Sequence, residues 1–140
     1  RSLEMKRLSG QCLCGAVRFS VADAFLYAGY CHCSRCRRAS GSAGAAIGGL
    51  PAAALEVTGG EHLLKRYQRS ESSVGIFCSA CGSPLYGEKP QSGLLHVRYG
   101  ALTDSPSLLP QAHMHVASKP DWYDIHDNLP QFDEFPPGAA

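Results

Sequence analysis

The sequence predicts an all-β protein, a β-sandwich or open barrel of short strands. Two observations lead there. Apolar residues alternate with polar ones at the strand period, as where Val17, Phe19 and Val21 interleave with Arg18 and Ser20, a pattern that turns one face inward. Glycine (15) and proline (9) punctuate the 140 residues so often that the elements between them must be short. Similar runs occupy 25–30, 43–47, 55–58, 63–67, 74–77, 94–99 and 112–117. Brief helical turns are expected after Cys33 and around 51–55, and a loop over 106–110. The segment 119–137 holds the single tryptophan and several prolines, and is expected to wrap irregularly across the sheet. With no repeat or linker in view, residues 5–140 read as one domain. Arg1 to Glu4, ahead of Met5, read as a cloning scar.

Thirteen Lys and Arg against twelve Asp and Glu leave a formal charge of +1. That argues against the broad basic footprint of a nucleic-acid binder or a membrane-surface protein. No apolar run approaches the ~18 residues of a membrane-spanning helix, and no secretory leader is recognised, so a cytoplasmic location is expected. The sequence is silent on oligomeric state.

The seven cysteines carry most of the chemical information. Cys12 and Cys14 form a C-x-C pair, Cys31, Cys33 and Cys36 a C-x-C-x-x-C triplet, and Cys78 and Cys81 a C-x-x-C pair. In a reducing compartment, such clusters are metal ligands or catalytic groups rather than disulfides. A structural zinc takes four ligands in a closed tetrahedron, and neither pair supplies four. The simplest division joins Cys12 and Cys14 to Cys78 and Cys81, leaving the triplet with three thiolates and a fourth position open, as at catalytic zinc. Ligand counting gives four plus three; it does not fix which pair joins which cluster. Gly15 and Gly82 follow the last cysteine of each pair, where a metal-wrapping turn often needs positive φ.

Charged and aromatic residues around these clusters give further expectations. Arg35, Arg37 and Arg38 crowd the triplet and would suit an anionic thiol, because guanidinium groups bind carboxylates bidentately. His32 stands between two triplet cysteines, and its side chain is expected to point away from them. His113 and His115 are expected to share one strand face as ordinary sheet histidines. Tyr99, Trp122 and Tyr123 read as core aromatics. His62, His96 and His126 have no evident partners, and Asp127 is given no role.

The ordered set Gly10-Gln11-Cys12-Leu13-Cys14-Gly15, Tyr30-Cys31-His32-Cys33-Ser34-Arg35-Cys36 and Phe77-Cys78-Ser79-Ala80-Cys81-Gly82, with the ending Ser118-Lys119-Pro120-Asp121-Trp122-Tyr123, resembles the glutathione-dependent formaldehyde-activating enzyme family. That family shares an Mss4-like β fold with centromere-associated relatives. The resemblance implies a structural zinc on Cys12, Cys14, Cys78 and Cys81. It implies a catalytic zinc on Cys31, Cys33 and Cys36, a three-cysteine site whose occupancy the sequence does not fix, since such a site is open to zinc loss and oxidation. It further implies a carbon–sulfur lyase-type enzyme that forms or cleaves a thiol–aldehyde adduct, as S-(hydroxymethyl)glutathione synthase does, with glutathione and formaldehyde as small-molecule partners. Gly44 stands where many relatives carry an aromatic residue, which implies a reshaped pocket. The alternative is a non-catalytic zinc-binding module that binds a partner or senses thiols and oxidants.

Overall fold

Alternation along the chain becomes alternation in burial. A computed structural model describes residues 6–136, so the expected scar at 1–4 lies outside the described residues. In chain order the strands are β1 (Arg7–Gln11), β2 (Arg18–Ala22), β3 (Tyr27–Cys31), β4 (Ala45–Pro51), β5 (Leu55–Gly59), β6 (Leu64–Ser70), β7 (Ser73–Cys78), β8 (Pro84–Lys89), β9 (Leu94–Arg98) and β10 (His113–Met114). The single α-helix among the described residues, α1 (Ser34–Ser40), follows Cys33, and a 3-10 turn covers Ala52–Ala54.

The strands form two open sheets. One has the order β1-β2-β5. The other, of seven strands, runs β10-β3-β4-β9-β8-β7-β6. Neighbours pair antiparallel throughout, except that β10 lies parallel to β3. Leu8, Phe19 and Val21 of the small sheet and Leu50, Leu85 and Val97 of the large one join a single core cluster that also takes in Val17, Cys12 and Cys78. Each such side chain contributes on the order of 1.5–3 kcal/mol on burial. The outer strand β6 carries Lys65, Arg66 and Arg69, charges that blunt an open edge against pairing with another chain.

Three expectations are corrected. Strands β1 and β8 lie where no strand was read. The run 112–117 contracts to His113–Met114, because His115 takes a left-handed backbone (φ 55°) and a 3-10 turn follows; His113 and His115 therefore share no strand face. Trp122 is not a core residue but is 72% exposed.

Candidate functional site

Two tight turns bring four cysteines together. Strand β1 ends in a turn closed by the Gly15 amide on the Cys12 carbonyl (3.1 Å), and β7 ends in one closed by the Gly82 amide on the Cys78 carbonyl (2.7 Å). Gly15 (φ 78°) and Gly82 (φ 81°) occupy the left-handed region that L side chains avoid. The two turns dock on each other through the Leu13 amide, which donates to Ser83 Oγ (2.8 Å). As a result the four Sγ atoms of Cys12, Cys14, Cys78 and Cys81 all lie within 4.8 Å of one another. Cys12 Sγ and Cys14 Sγ are 3.5 Å apart, and Cys14 Sγ and Cys78 Sγ 4.0 Å. These separations bracket the ~3.8 Å edge of a tetrahedron with metal–sulfur bonds of ~2.3 Å. The Val17 amide donates to Cys12 Sγ (3.2 Å), and Cys81 Sγ contacts Ser83 Oγ (3.1 Å). The Ser83 hydroxyl and nearby backbone amides pull the Cys81 thiol down to about 5. The set fits a four-coordinate metal.

The triplet is built differently. Cys31 closes β3 and is buried, Cys33 caps α1, and Cys36 sits in its first turn. The Cys36 amide donates to Cys33 Sγ (3.3 Å), so the cap itself is a thiol. The three Sγ atoms lie within 4.8 Å of one another. Hydrogen bonding from Cys31 and then Cys36 lowers the Cys33 thiol well below its ordinary value. Cys31 rises, first through its hydrogen bonds with Cys33 and Cys36 and then through burial. Three sulfurs in this arrangement could hold a metal ion while leaving a coordination position unfilled by these cysteines.

Beside the triplet runs a cleft of about 440 Å³, floored by the large sheet. Strand register sets part of its floor, at Gly87 and His96. Tyr67, Gly75, Gly87, His96, Gly49 and Tyr27 align in one row across β6, β7, β8, β9, β4 and β3. Half of that row lacks side chains. A Cβ on Gly49 would fall 2.3 Å from Tyr27 Cζ, and one on Gly75 would fall 3.0 Å from Arg69 Cδ. Those glycines let Tyr27 reach His96 (Oη to Nε2, 2.6 Å) and let the Arg69 stem lie along the sheet. Burial, reinforced by Lys89, Arg98 and Arg69, pushes the His96 imidazole down to about 4, so it stays neutral at pH 7.

Of the three arginines singled out in the sequence, Arg35 lines this cleft and Arg38 lines an adjoining one beside Tyr67 and Phe77, whereas Arg37 lines neither. Sequence reasoning did not find Arg69, Lys89, His96 and Arg98, which the structure places in the cleft wall. Gly44 does not open the pocket, since a Cβ there would meet the Cys31 carbonyl oxygen at 2.8 Å and His32 Nδ1 at 2.9 Å. His32 is buried, and its Nε2 meets His113 Nδ1 at 2.8 Å. His113 Nε2 lies 3.0 Å from both carboxylate oxygens of Asp127. This chain fixes the His32 ring away from the sulfurs and ties the 119–136 segment to β3; Asp127, assigned nothing in the sequence, anchors it.

An all-β fold of two open sheets with one closed and one incomplete cysteine cluster is thus the class of protein defined here. The chain belongs to the glutathione-dependent formaldehyde-activating enzyme family, whose model matches residues 7–118. A protein of Halomonas elongata named "Putative glutathione-dependent formaldehyde-activating enzyme" is 36% identical over 127 residues, covering 84% of this chain and 80% of its own. A crystal structure of a Rhodobacter sphaeroides protein, determined in a structural genomics programme, superposes with a TM-score of 0.57 at 26% identity. The match covers 71% of this chain and 91% of that one.

Proposed function

We propose that this protein is a zinc-dependent carbon–sulfur lyase-type enzyme that forms or cleaves the adduct between a thiol and an aldehyde, with glutathione and formaldehyde as the pair. The observation that carries this reading is the inequality of the two clusters: four sulfurs, enough to close a tetrahedral site, and three in the wall of a cleft, one ligand short of it. The family name and that of the Halomonas relative supply the substrate pair. In this reading Cys12, Cys14, Cys78 and Cys81 hold a structural zinc. Cys31, Cys33 and Cys36 hold the catalytic one, which is the more easily lost.

Zinc bound at the triplet would supply Lewis acidity and favour the ionised form of an incoming thiol. The chain's own residues do the rest. The cationic cleft, lined by Arg35, draws in an anionic thiol, and Arg38 adds charge in the adjoining recess. Met114, His115 and Phe135 also line the cleft. His115 and Phe135 meet edge to face with ring centres 4.7 Å apart. In the forward direction the new bond joins thiol sulfur to carbonyl carbon, and the thiol proton ends on the carbonyl oxygen. Cleavage returns it. Cytoplasmic action of a single-domain protein completes the proposal; among the described residues no helix is long and apolar enough to cross a membrane.

The lowered Cys33 thiol beside two further cysteines favours one competing reading, a non-catalytic module that senses thiols or oxidants. The two are separated by assaying a panel of thiols with formaldehyde. An enzyme accelerates adduct formation or cleavage, and Cys31→Ala and Cys36→Ala abolish this while retaining the native circular dichroism spectrum. No acceleration by the zinc-loaded wild type across the panel, or unchanged turnover in both variants, overturns the proposal.

A further inference from the structure

Arg98 is the least expected residue in the cleft. It ends β9, is only 9% exposed, and has its Nη1 sealed from solvent with no hydrogen-bond partner among the described residues. Burying a guanidinium nitrogen without an acceptor is costly, so the arrangement calls for an anionic partner that the polypeptide does not provide. The nearby Cys36, Cys31 and Cys33 offset part of its charge, but Arg98 makes no hydrogen bond to them, so its Nη1 stays unfilled. The acids do not serve either. Among the described residues the ion pairs are Arg66–Glu88 and His113–Asp127, and neither reaches the cleft cations.

The surrounding charge points the same way. Arg35, Arg69, Lys89 and Arg98 line the cleft together with neutral His96 and no aspartate or glutamate, in a chain whose formal charge is only +1. Arg69 reaches inward because Gly75 leaves the sheet face bare beneath its stem. Arg69 and Arg98 also border the neighbouring recess behind Tyr67 and Phe77, so they stand where the two cavities meet.

We propose that Arg98, assisted by Arg69, is the specificity-determining anchor of this site: its buried fork takes a carboxylate of the incoming thiol and thereby selects carboxylated thiols over neutral ones. The proposal rests on the thiol–aldehyde reading above for the identity of the ligand, and on the unpartnered Arg98 Nη1 beside the cleft for its placement. The fork geometry matters as well as the charge, because guanidinium binds carboxylate through two parallel hydrogen bonds that an ammonium cannot reproduce.

The test uses the zinc-loaded protein and S-methylglutathione, a thioether with no ionisable sulfur, against its dimethyl ester. Titration calorimetry reads affinity, and elemental analysis reads zinc per chain. The wild type is expected to bind the acid at least tenfold more tightly than the ester. In Arg98→Lys and in Arg69→Met that preference falls threefold or more, with zinc content unchanged. A wild type that binds acid and ester alike overturns the anchor without any variant having to fold. So does a preference that survives undiminished in both variants. If Arg98 served only as counter-ion to the thiolates, Arg98→Lys would keep the preference and Arg98→Met would lose zinc instead. A parallel formaldehyde assay separates the two claims. Acid-selective binding without turnover overturns the enzymatic reading alone, and turnover of glutathione and its dimethyl ester with equal KM overturns the anchor alone.

Discussion

Acidification should weaken the fold chiefly through the His96 imidazole, with His32 also held below its ordinary value by burial. His96 projects from β9 into the glycine-lined row of the large sheet, its Nε2 hydrogen-bonded with the Tyr27 hydroxyl at 2.6 Å. Burial, then the charges of Lys89, Arg98 and Arg69, hold it at about 4 in the folded chain against an ordinary 6.5. Between those values the unfolded chain binds a proton that the folded chain refuses. Stability is therefore whole above pH ~6.5 and falls by ~1.4 kcal/mol per pH unit as pH drops towards 4. The total is about 3 kcal/mol, a large share of the ~5–15 kcal/mol that holds a domain together. Urea titrations of the wild type at pH 7.0, 5.5 and 4.5 should show the midpoint dropping at constant slope, and His96→Asn should flatten most of that drop. An equal pH dependence in the variant would refute the reasoning, because the missing proton would then belong elsewhere.

Further consequences follow from packing. Leu50 is fully buried in the core between the sheets; Leu50→Ala should cost about 2–5 kcal/mol in urea denaturation while leaving zinc content intact. Gly60 has φ 73°, and a Cβ there would lie 2.1 Å from the Ala16 carbonyl oxygen beside the Cys12–Cys14 turn. Gly60→Ala should lower the thermal midpoint and speed zinc loss to a chelator, whereas Gly93→Ala, with an equal φ of 73° and open space around it, should show only the backbone penalty.

Much of the fold was legible because strand alternation was strong wherever both faces carried side chains. It failed at β1 and β8 for one physical reason. Gly10 sits at an inward position of β1, where the Phe19 ring fills the space a Cβ would take (2.2 Å), and β8 begins at Pro84 and passes through buried Gly87. An inward glycine erases the apolar beat that reveals a strand. The 112–117 run misled in the opposite sense: its alternation persisted past Met114, but the backbone turned left-handed at His115, which no composition signal announces.

Cysteine spacing foretold both sulfur clusters, since each half-site is local in sequence. The meeting of Cys14 with Cys78 across 64 positions was only one of the divisions that counting allowed. Arg69, Lys89, His96 and Arg98 escaped notice because each comes from a strand that reads as ordinary. Sheet register, not sequence proximity, assembles them.

In the proposed reading the seven sulfurs divide into a four-sulfur set that staples the chain and a three-sulfur set that does chemistry. The measurement that tests it most directly is zinc per chain, paired with thermal unfolding, in wild type, Cys78→Ser and Cys31→Ser. The wild type should hold two ions when fully loaded. Cys31→Ser should keep one and unfold cooperatively near the wild-type temperature. Cys78→Ser should lose the cooperative transition, since a structural zinc contributes on the order of 10–16 kcal/mol. Two variants equally destabilised, or a Cys78→Ser protein that folds cooperatively without its metal, would contradict the division.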